Sequence, residues 1–190
     1  LLNGIDVSTL SGGDWRQLRG TQISMIFQNP SAYLNPNRTV ANHFKDLFRA
    51  HGESYDASRV MDMLNLVHLD GGERILQSYP FQLSGGMQQR LAIALSLILK
   101  PTIVFADEPT SALDILVQAS VLDLLREVTQ ALGATVIIVT HNIKAAARIA
   151  NSIGVMNKGH LVEVGPTEEV IHYPKDDYTR VLLDSVMKVV

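Results

Sequence analysis

Short apolar runs alternate with longer amphipathic stretches in the second half of the chain. Residues 103–106 and 135–139 are apolar at nearly every position, which is typical of parallel strands covered on both faces. Residues 117–132 repeat their apolar positions at the helical period and end at Gly133, and a further helix is predicted over 142–150. Because strands and helices alternate, we predict an α/β fold around a parallel sheet.

The first half of the chain has a different pattern. An apolar run over 23–27 predicts one strand, which ends at Gln28 before a loop rich in Asn and Pro over 29–37. Residues 39–49 and 56–67 then carry apolar side chains at helical spacing. The middle third is therefore predicted to be a helical insert.

The remaining segments predict one long helix, a hairpin and two short helices. Ser84 is placed to cap a helix that stays largely apolar until Pro101 ends it. Residues 153–164 predict a β-hairpin around an Asn-Lys-Gly turn. Helices over 168–172 and 178–189 finish the chain.

Composition excludes several classes of function. The 190 residues carry 16 basic and 19 acidic side chains, a formal charge of -3, so nucleic acid is not an expected partner. The absence of Cys excludes disulfides and thiolate metal sites. No stretch approaches the ~20 apolar residues of a membrane span. The chain starts at Leu1 rather than Met, and we expect it to be part of a longer protein.

The sequence LSGGMQQR over 83–90 is the first candidate site. Its glycines let the backbone approach a phosphate closely, and the amides at the start of the long helix favour an anion at Ser84, Gly85 and Gly86. A second LSGG occurs at 10–13. There Asp14 would oppose a bound anion, so we interpret that copy as a loop and helix entry.

The second candidate site follows the strand over 103–106. Asp107 and Glu108 should emerge at the carboxyl edge of the sheet, where such folds bind ligands. One carboxylate would hold magnesium and the other would polarise an attacking water. A turn that caps a helix is the alternative, because Pro109 and Thr110 also suit a loop.

Three further segments are candidates for the same site because of their positions in the predicted fold. His141 ends the next strand and could contact a terminal phosphate, and Gln28 could ligate magnesium or orient water, although both residue types are common in ordinary loops. Residues 111–114 predict a turn into a helix. No G-x-x-x-x-G-K-[ST] phosphate loop occurs in the sequence.

Taken in order, these motifs resemble the nucleotide-binding subunit of an ATP-binding-cassette (ABC) transporter. Gln28 is similar to the family's Q-loop, 83–88 to its signature, 103–108 to Walker B, 111–114 to the D-loop and His141 to the switch histidine. The Phe-Gln-Asn-Pro and Leu-Asn-Pro sequences within 27–36, Met87, and the tail motifs within 163–180 resemble the oligopeptide, dipeptide and nickel importers.

The resemblance implies a parallel-sheet P-loop-type ATPase core, here without its N-terminal part, and an inserted helical subdomain. It divides the chain into a core strand with the Q-loop over 1–38, a helical subdomain with the signature over 39–100, a core segment over 101–165 and a helical tail over 166–190. The phosphate loop and the aromatic residue that stacks on adenine would precede Leu1, so we expect the chain by itself to bind ATP poorly.

The same resemblance implies roles for individual residues. Two subunits would enclose two ATP molecules, with Mg²⁺ as cofactor, and transmembrane permease subunits would be further partners. Glu108 would be the catalytic base, His141 the sensor of the terminal phosphate, and Asp107 with Gln28 the magnesium side. Residues on the signature and D-loop would contact nucleotide; they are Ser84, Gly85, Gly86, Gln88 and Asp114. Asn142 departs from the Asp that commonly follows the histidine.

Three functions follow as alternatives. The first is the ATPase subunit of an importer of peptides or a related small solute such as nickel, located in the cytoplasm on the inner face of the cell membrane. The second is a non-hydrolytic regulatory or structural subunit that caps ATP on a complete partner, against which Glu108 and His141 argue. The third is a cassette ATPase without a membrane subunit, against which the importer-like tail after Gly165 argues.

Overall fold

The computed structural model describes residue 2 and residues 4–187, which form two compact units. The first unit is Leu1–Val139 and the second is Thr140–Val190. The division of the chain into four segments stays a prediction.

A three-stranded parallel sheet organises the first unit. Its strands β1 (Ile23–Ile26), β2 (Ile103–Asp107) and β3 (Thr135–Val139) lie in the order β1-β2-β3. The helices of this unit are α1 (Gly12–Leu18), α2 (Val40–Ala50), α3 (Ala57–Leu66), α4 (Glu73–Gln77), α5 (Gly85–Leu97) and α6 (Ile115–Leu132). Short 3-10 turns occupy Val7–Thr9, Pro30–Ala32 and Pro80–Gln82. The prediction of an α/β fold with a parallel sheet is confirmed.

Side-chain caps set where the main helices begin. Thr39, Asp56 and Ser84 each accept a hydrogen bond from a backbone N–H three residues further on, as predicted for Ser84. The predicted strand boundaries shift by one residue, since β1 ends at Ile26 and β2 includes Asp107.

The core of the first unit lies between α5 and one face of the sheet. Leu91, Ile93 and Leu97 are fully buried on α5, and Val104 and Ala106 are buried on β2. The helices of the insert join the same apolar cluster through side chains such as those of Phe44, Phe48, Val60 and Leu64. Because α5 is buried on nearly all sides, its amino end is held firmly relative to the sheet.

The opposite face of the sheet differs from the prediction. Met25, Phe105 and Ile137 lie side by side across the three strands and remain partly exposed, as does Val139. Their apolar character predicted cover on both faces. Side chains at alternate positions point to opposite sides of a strand, so these four lie on one face, which the described residues leave partly exposed.

An antiparallel hairpin forms the centre of the second unit. Strands β4 (Ser152–Asn157) and β5 (His160–Pro166) pair as predicted, and Lys158 and Gly159 both adopt positive φ in the connecting turn. The helices are α7 (Ile143–Ile149), α8 (Thr167–His172) and α9 (Asp177–Met187). The predicted end of the last helix, at 189, lies outside the described residues. Among the described helices, none is long and apolar enough to span a membrane.

Candidate functional site

The carboxyl edge of the sheet brings three candidate residues together. Ile26 pairs with Ala106, so Gln28 follows β1 at the edge where Asp107 ends β2 and Glu108 begins the next loop. The two carboxylate residues are half-buried and Gln28 is exposed. A ligand that binds at this edge of the sheet would therefore meet an amide and two carboxyl groups.

The backbone of Glu108 has an unusual conformation. Its φ is 46°, in the left-handed region that non-glycine residues rarely adopt. Its N–H donates to the Val139 carbonyl at 2.8 Å, and its own carbonyl accepts from the Ser111 N–H at 3.2 Å and Oγ at 3.1 Å. These bonds hold Glu108 in a strained turn directly after the strand, which is a common feature of functional sites.

The amino end of α5 forms the second part of the site. Ser84 Oγ accepts from the Met87 N–H at 3.3 Å, while Ser84 and Gly85 remain exposed. The first amides of a helix have no acceptor within the helix and point outward, so this end is suited to an anion. Gly86 is half-buried.

The Gln88 side chain forms two hydrogen bonds within this unit, and its contact with nucleotide stays a prediction. Its Nε2 donates to the Pro80 carbonyl at 3.0 Å and to the Leu83 carbonyl at 3.1 Å. The side chain therefore braces the loop that enters α5. Sequence spacing alone did not indicate this role, because it depends on how residues 79–83 fold back.

The start of α5 packs against the segment that enters α6. A Cβ on Gly85 would lie 3.5 Å from Leu113 Cδ2, and Asp114 caps α6 by accepting from the Val117 N–H at 3.0 Å. Asp114 is thus a helix cap in this unit, beside the signature glycines. This packing joins the signature directly to the loop that follows Glu108.

Arg90 links α5 to two other helices of this unit, a role that no sequence motif indicated. Its guanidinium donates to the Val67 carbonyl at the end of α3, at 3.0 Å, and to Ser120 Oγ on α6, at 2.8 Å. A charged side chain on an otherwise apolar helix was the available signal. Its two partners are distant in sequence, so they could not be named beforehand.

His141 belongs to the second unit, two residues after β3. It is exposed and precedes Asn142, which caps α7 by accepting from the Ala145 N–H at 3.1 Å. Asn142 thus supplies the capping oxygen that an Asp would supply at the same position.

The first LSGG copy is a helix entry, as predicted. Ser11 caps α1, and the Asp14 carboxylate accepts from the Ser11 N–H at 2.9 Å and Oγ at 2.6 Å. Those hydrogen bonds lower the pKa of Asp14 below its usual value, so a negative charge faces this helix start.

The magnesium site expected at the sheet edge stays a prediction, and its donors can be compared with what Mg²⁺ requires. No group of three or more His, Asp or Glu side chains suited to a metal occurs among the residues that the structure describes. Mg²⁺ needs few protein ligands when substrate phosphates and water complete its shell, and it prefers hard oxygen donors. The Asp107 carboxylate and the Gln28 amide oxygen meet that requirement.

Comparisons with a family model and with curated proteins point to the same family as the motifs do. Residues 1–111 match the family model described as ABC transporter. The dipeptide transport ATP-binding protein DppD of Caldanaerobacter subterraneus subsp. tengcongensis is 42% identical over 193 residues, covering 100% of this chain and 59% of that protein. The oligopeptide transport ATP-binding protein OppD of Lactococcus lactis is 38% identical over 188 residues, covering 97% of this chain and 56% of that protein.

Solved structures give the same result. The dimeric structure of a post-hydrolysis state of the ATP-binding cassette MJ0796, bound to ADP and Pi, superposes with a TM-score of 0.72 at 29% identity. The match covers 87% of this chain and 71% of that one. The chain spans somewhat more than half the length of the curated relatives that it matches. The predicted P-loop-type ATPase fold and the resemblance are confirmed, and the chain belongs to the ABC transporter family.

Proposed function

We propose that this protein is the ATP-hydrolysing subunit of an importer for peptides. The observation that carries the proposal is the half-buried Asp107-Glu108 pair at the carboxyl edge of a parallel sheet, with Gln28 at the same edge. The names of the relatives, which are dipeptide and oligopeptide transport ATP-binding proteins, favour peptides over other solutes.

In the proposed reaction a water molecule attacks the terminal phosphorus of ATP. Glu108 accepts a proton from this water as the new P–O bond forms and the bond to ADP breaks. Asp107 and Gln28 would hold Mg²⁺, which neutralises negative charge on the phosphates when bound. His141 contacts the terminal phosphate.

The signature acts on nucleotide held by a second cassette subunit. Ser84, Gly85 and Gly86 present amides to the phosphates, while Asp114 lines the same side. The dimeric structure of the ATP-binding cassette MJ0796 is consistent with such a pair. Transmembrane permease subunits are further partners, so the protein lies on the inner face of the cell membrane. Closure of the pair on ATP pulls on these subunits.

Uptake of a labelled dipeptide tests this proposal in cells that lack the gene. The full-length wild-type protein is expected to restore uptake, whereas Glu108→Gln is not. Glu127→Gln is the matched control, because that side chain is exposed on α6. Restoration of nickel uptake without peptide uptake would show that the transported solute is nickel rather than a peptide. Restoration of peptide uptake by Glu108→Gln would overturn the hydrolytic role.

A further inference from the structure

Gln89 is a buried polar side chain on the otherwise apolar helix α5. Only 1% of its surface is exposed, and its Nε2 has no hydrogen-bond partner within the part of the chain that the structure describes. Most buried polar groups are hydrogen-bonded, because an unbonded buried amide costs free energy that an apolar side chain would not cost. This cost is recovered in a conformation that brings an acceptor to the amide.

The Gln89 side chain lies on the side of α5 that faces β1. Gln89 and Ser96 are seven residues apart, which is about two helical turns, so they share one side of the helix. Ser96 Oγ donates to the Met25 carbonyl on β1 at 3.1 Å. Gln89 therefore points towards β1 or towards the chain that continues it.

The position of Gln89 along the helix places it at the level of Gln28. α5 runs opposite to the strands, because its start packs against Leu113, beyond the carboxyl edge, and its end leads into the start of β2. Two turns before Ser96 correspond to about 10 Å along the helix, or roughly three residues of strand beyond Met25. Residue 28 lies at this level.

The chain that follows β1 contacts α5. The 3-10 turn that begins at Pro30 packs against this helix, and Pro30 itself is buried. The carbonyls of Asn29 and Pro30 already accept hydrogen bonds from backbone N–H groups of the following residues. Pairing of β1 with β2 ends at Ile26, so the carbonyls of Phe27 and Gln28 lie beyond the paired strand. These two carbonyls are therefore the candidate acceptors for the buried amide.

We propose that Gln89 is a positioning residue for Gln28. When ATP is bound, a small shift of the backbone brings the Phe27 or Gln28 carbonyl to Gln89 Nε2, and the new hydrogen bond holds the Gln28 side chain at the sheet edge. This inference rests on the proposed function and extends it to a residue just outside the signature over 83–88. Formation of the bond favours the arrangement that hydrolyses ATP, so loss of the Gln89 amide is expected to lower kcat roughly five- to hundredfold.

Gln89→Leu in the full-length protein tests this role, because it removes the donor and keeps a side chain of similar size. Its urea midpoint is expected to stay unchanged or rise, while kcat falls. Gln89→Met, whose side chain is unbranched like that of Gln, should behave in the same way. Ser96→Ala is the matched control: it removes a hydrogen bond to β1 from the same side of α5, so it should lower the urea midpoint without lowering kcat.

A double-mutant cycle with Gln28→Ala shows whether the two glutamines act together. If Gln89 acts through Gln28, then Gln89→Leu should have little further effect on kcat once residue 28 is alanine. Independent losses in kcat that multiply in the double variant would overturn the proposal.

Hydrogen exchange gives a readout that does not depend on turnover. A non-hydrolysable ATP analogue should slow the exchange of the amides over 27–34 in the wild-type protein and in Ser96→Ala, but much less in Gln89→Leu.

Three results would overturn the proposal while leaving the proposed function intact. They are equal protection in the wild-type protein and Gln89→Leu, an unchanged kcat in Gln89→Leu, and a lowered urea midpoint in both Gln89 variants, which would show that the amide is already bonded. Failure of the wild-type protein to hydrolyse ATP would instead reject the proposed function, and this inference with it.

Discussion

Gly86 lies so close to Val117 that a Cβ at position 86 would stand 3.0 Å from Val117 Cγ1. The contact joins the signature helix to the helix that begins after the Ser111–Asp114 segment. A side chain at position 86 would therefore require Val117 to shift by a few tenths of an ångström. The glycine thus serves helix packing as well as the approach to a phosphate.

Gly86→Ala is expected to lower the free energy of unfolding by about 1 kcal/mol, because the added methyl overpacks this contact. Gly85→Ala is the matched control, since its Cβ would lie 3.5 Å from Leu113 Cδ2, an ordinary contact distance. Urea unfolding measures both. Adding Val117→Ala should recover part of the loss in a double-mutant cycle; no coupling between the two positions would contradict the contact.

Replacing each of the two adjacent glutamines on α5 by Leu is expected to affect stability differently. Gln88→Leu removes hydrogen bonds to the Pro80 and Leu83 carbonyls and should cost about 1–2 kcal/mol of unfolding free energy. Gln89 is buried and its Nε2 has no hydrogen-bond partner within the described part of the chain. Gln89→Leu should therefore leave the urea midpoint unchanged or raise it. An equal loss in both variants would show that the Gln89 amide is bonded.

Because the backbone at position 108 is strained, a glycine there is expected to be more stable than an alanine, which is the reverse of the usual order. Glycine is normally less stable than alanine within a folded segment. At a φ of 46°, however, Glu108→Gly should be more stable than Glu108→Ala by about 1 kcal/mol. Thermal unfolding of the two variants tests this order. Greater stability of the alanine variant would show that this residue does not adopt a left-handed conformation.

Protonation of Asp46 is expected to weaken the helical insert. Arg38 Nε donates to Asp46 Oδ2 at 3.0 Å and Nη2 donates to Oδ1 at 2.6 Å, and these bonds hold the pKa of Asp46 below its usual value. A lowered pKa means that the pair stabilises the fold at neutral pH. This contribution is lost as the pH falls through the lowered pKa.

Urea midpoints of the wild-type protein and Arg38→Gln should accordingly differ at pH 7 and converge in strong acid. Arg49→Gln is the control, because its exposed guanidinium lies 3.5 Å from the same carboxylate and should contribute less. A difference that persists unchanged in strong acid would mean that packing, rather than charge, accounts for the role of Arg38.

Local signals explain which parts of the fold could be predicted from sequence. Helix starts at Thr39, Asp56 and Ser84 follow from caps that act over three residues. The end of α6 at Gly133 follows from a left-handed glycine. The sheet edge that holds Gln28 and Asp107 follows from apolar strands in parallel register.

Features that depend on distant contacts could not be predicted. Arg90 bonds to Val67 and Ser120, which are 23 and 30 residues away. The partly exposed sheet face at Phe105 and Ile137 has the same apolar pattern as the buried face, so the sequence does not distinguish the two. The hydrogen bonds of Gln88 could not be predicted either, because they depend on the conformation of the loop that precedes α5.

Phosphate release from magnesium-ATP by the purified full-length protein is the decisive measurement of whether Glu108 is the catalytic base. We expect turnover by the wild-type protein and by Glu127→Gln. We also expect Glu108→Gln to bind ATP and to hydrolyse it at least roughly 100-fold more slowly, because the base is missing. Turnover by Glu108→Gln at the wild-type rate would exclude this role, and a wild-type protein that binds ATP without hydrolysing it would exclude the proposed function.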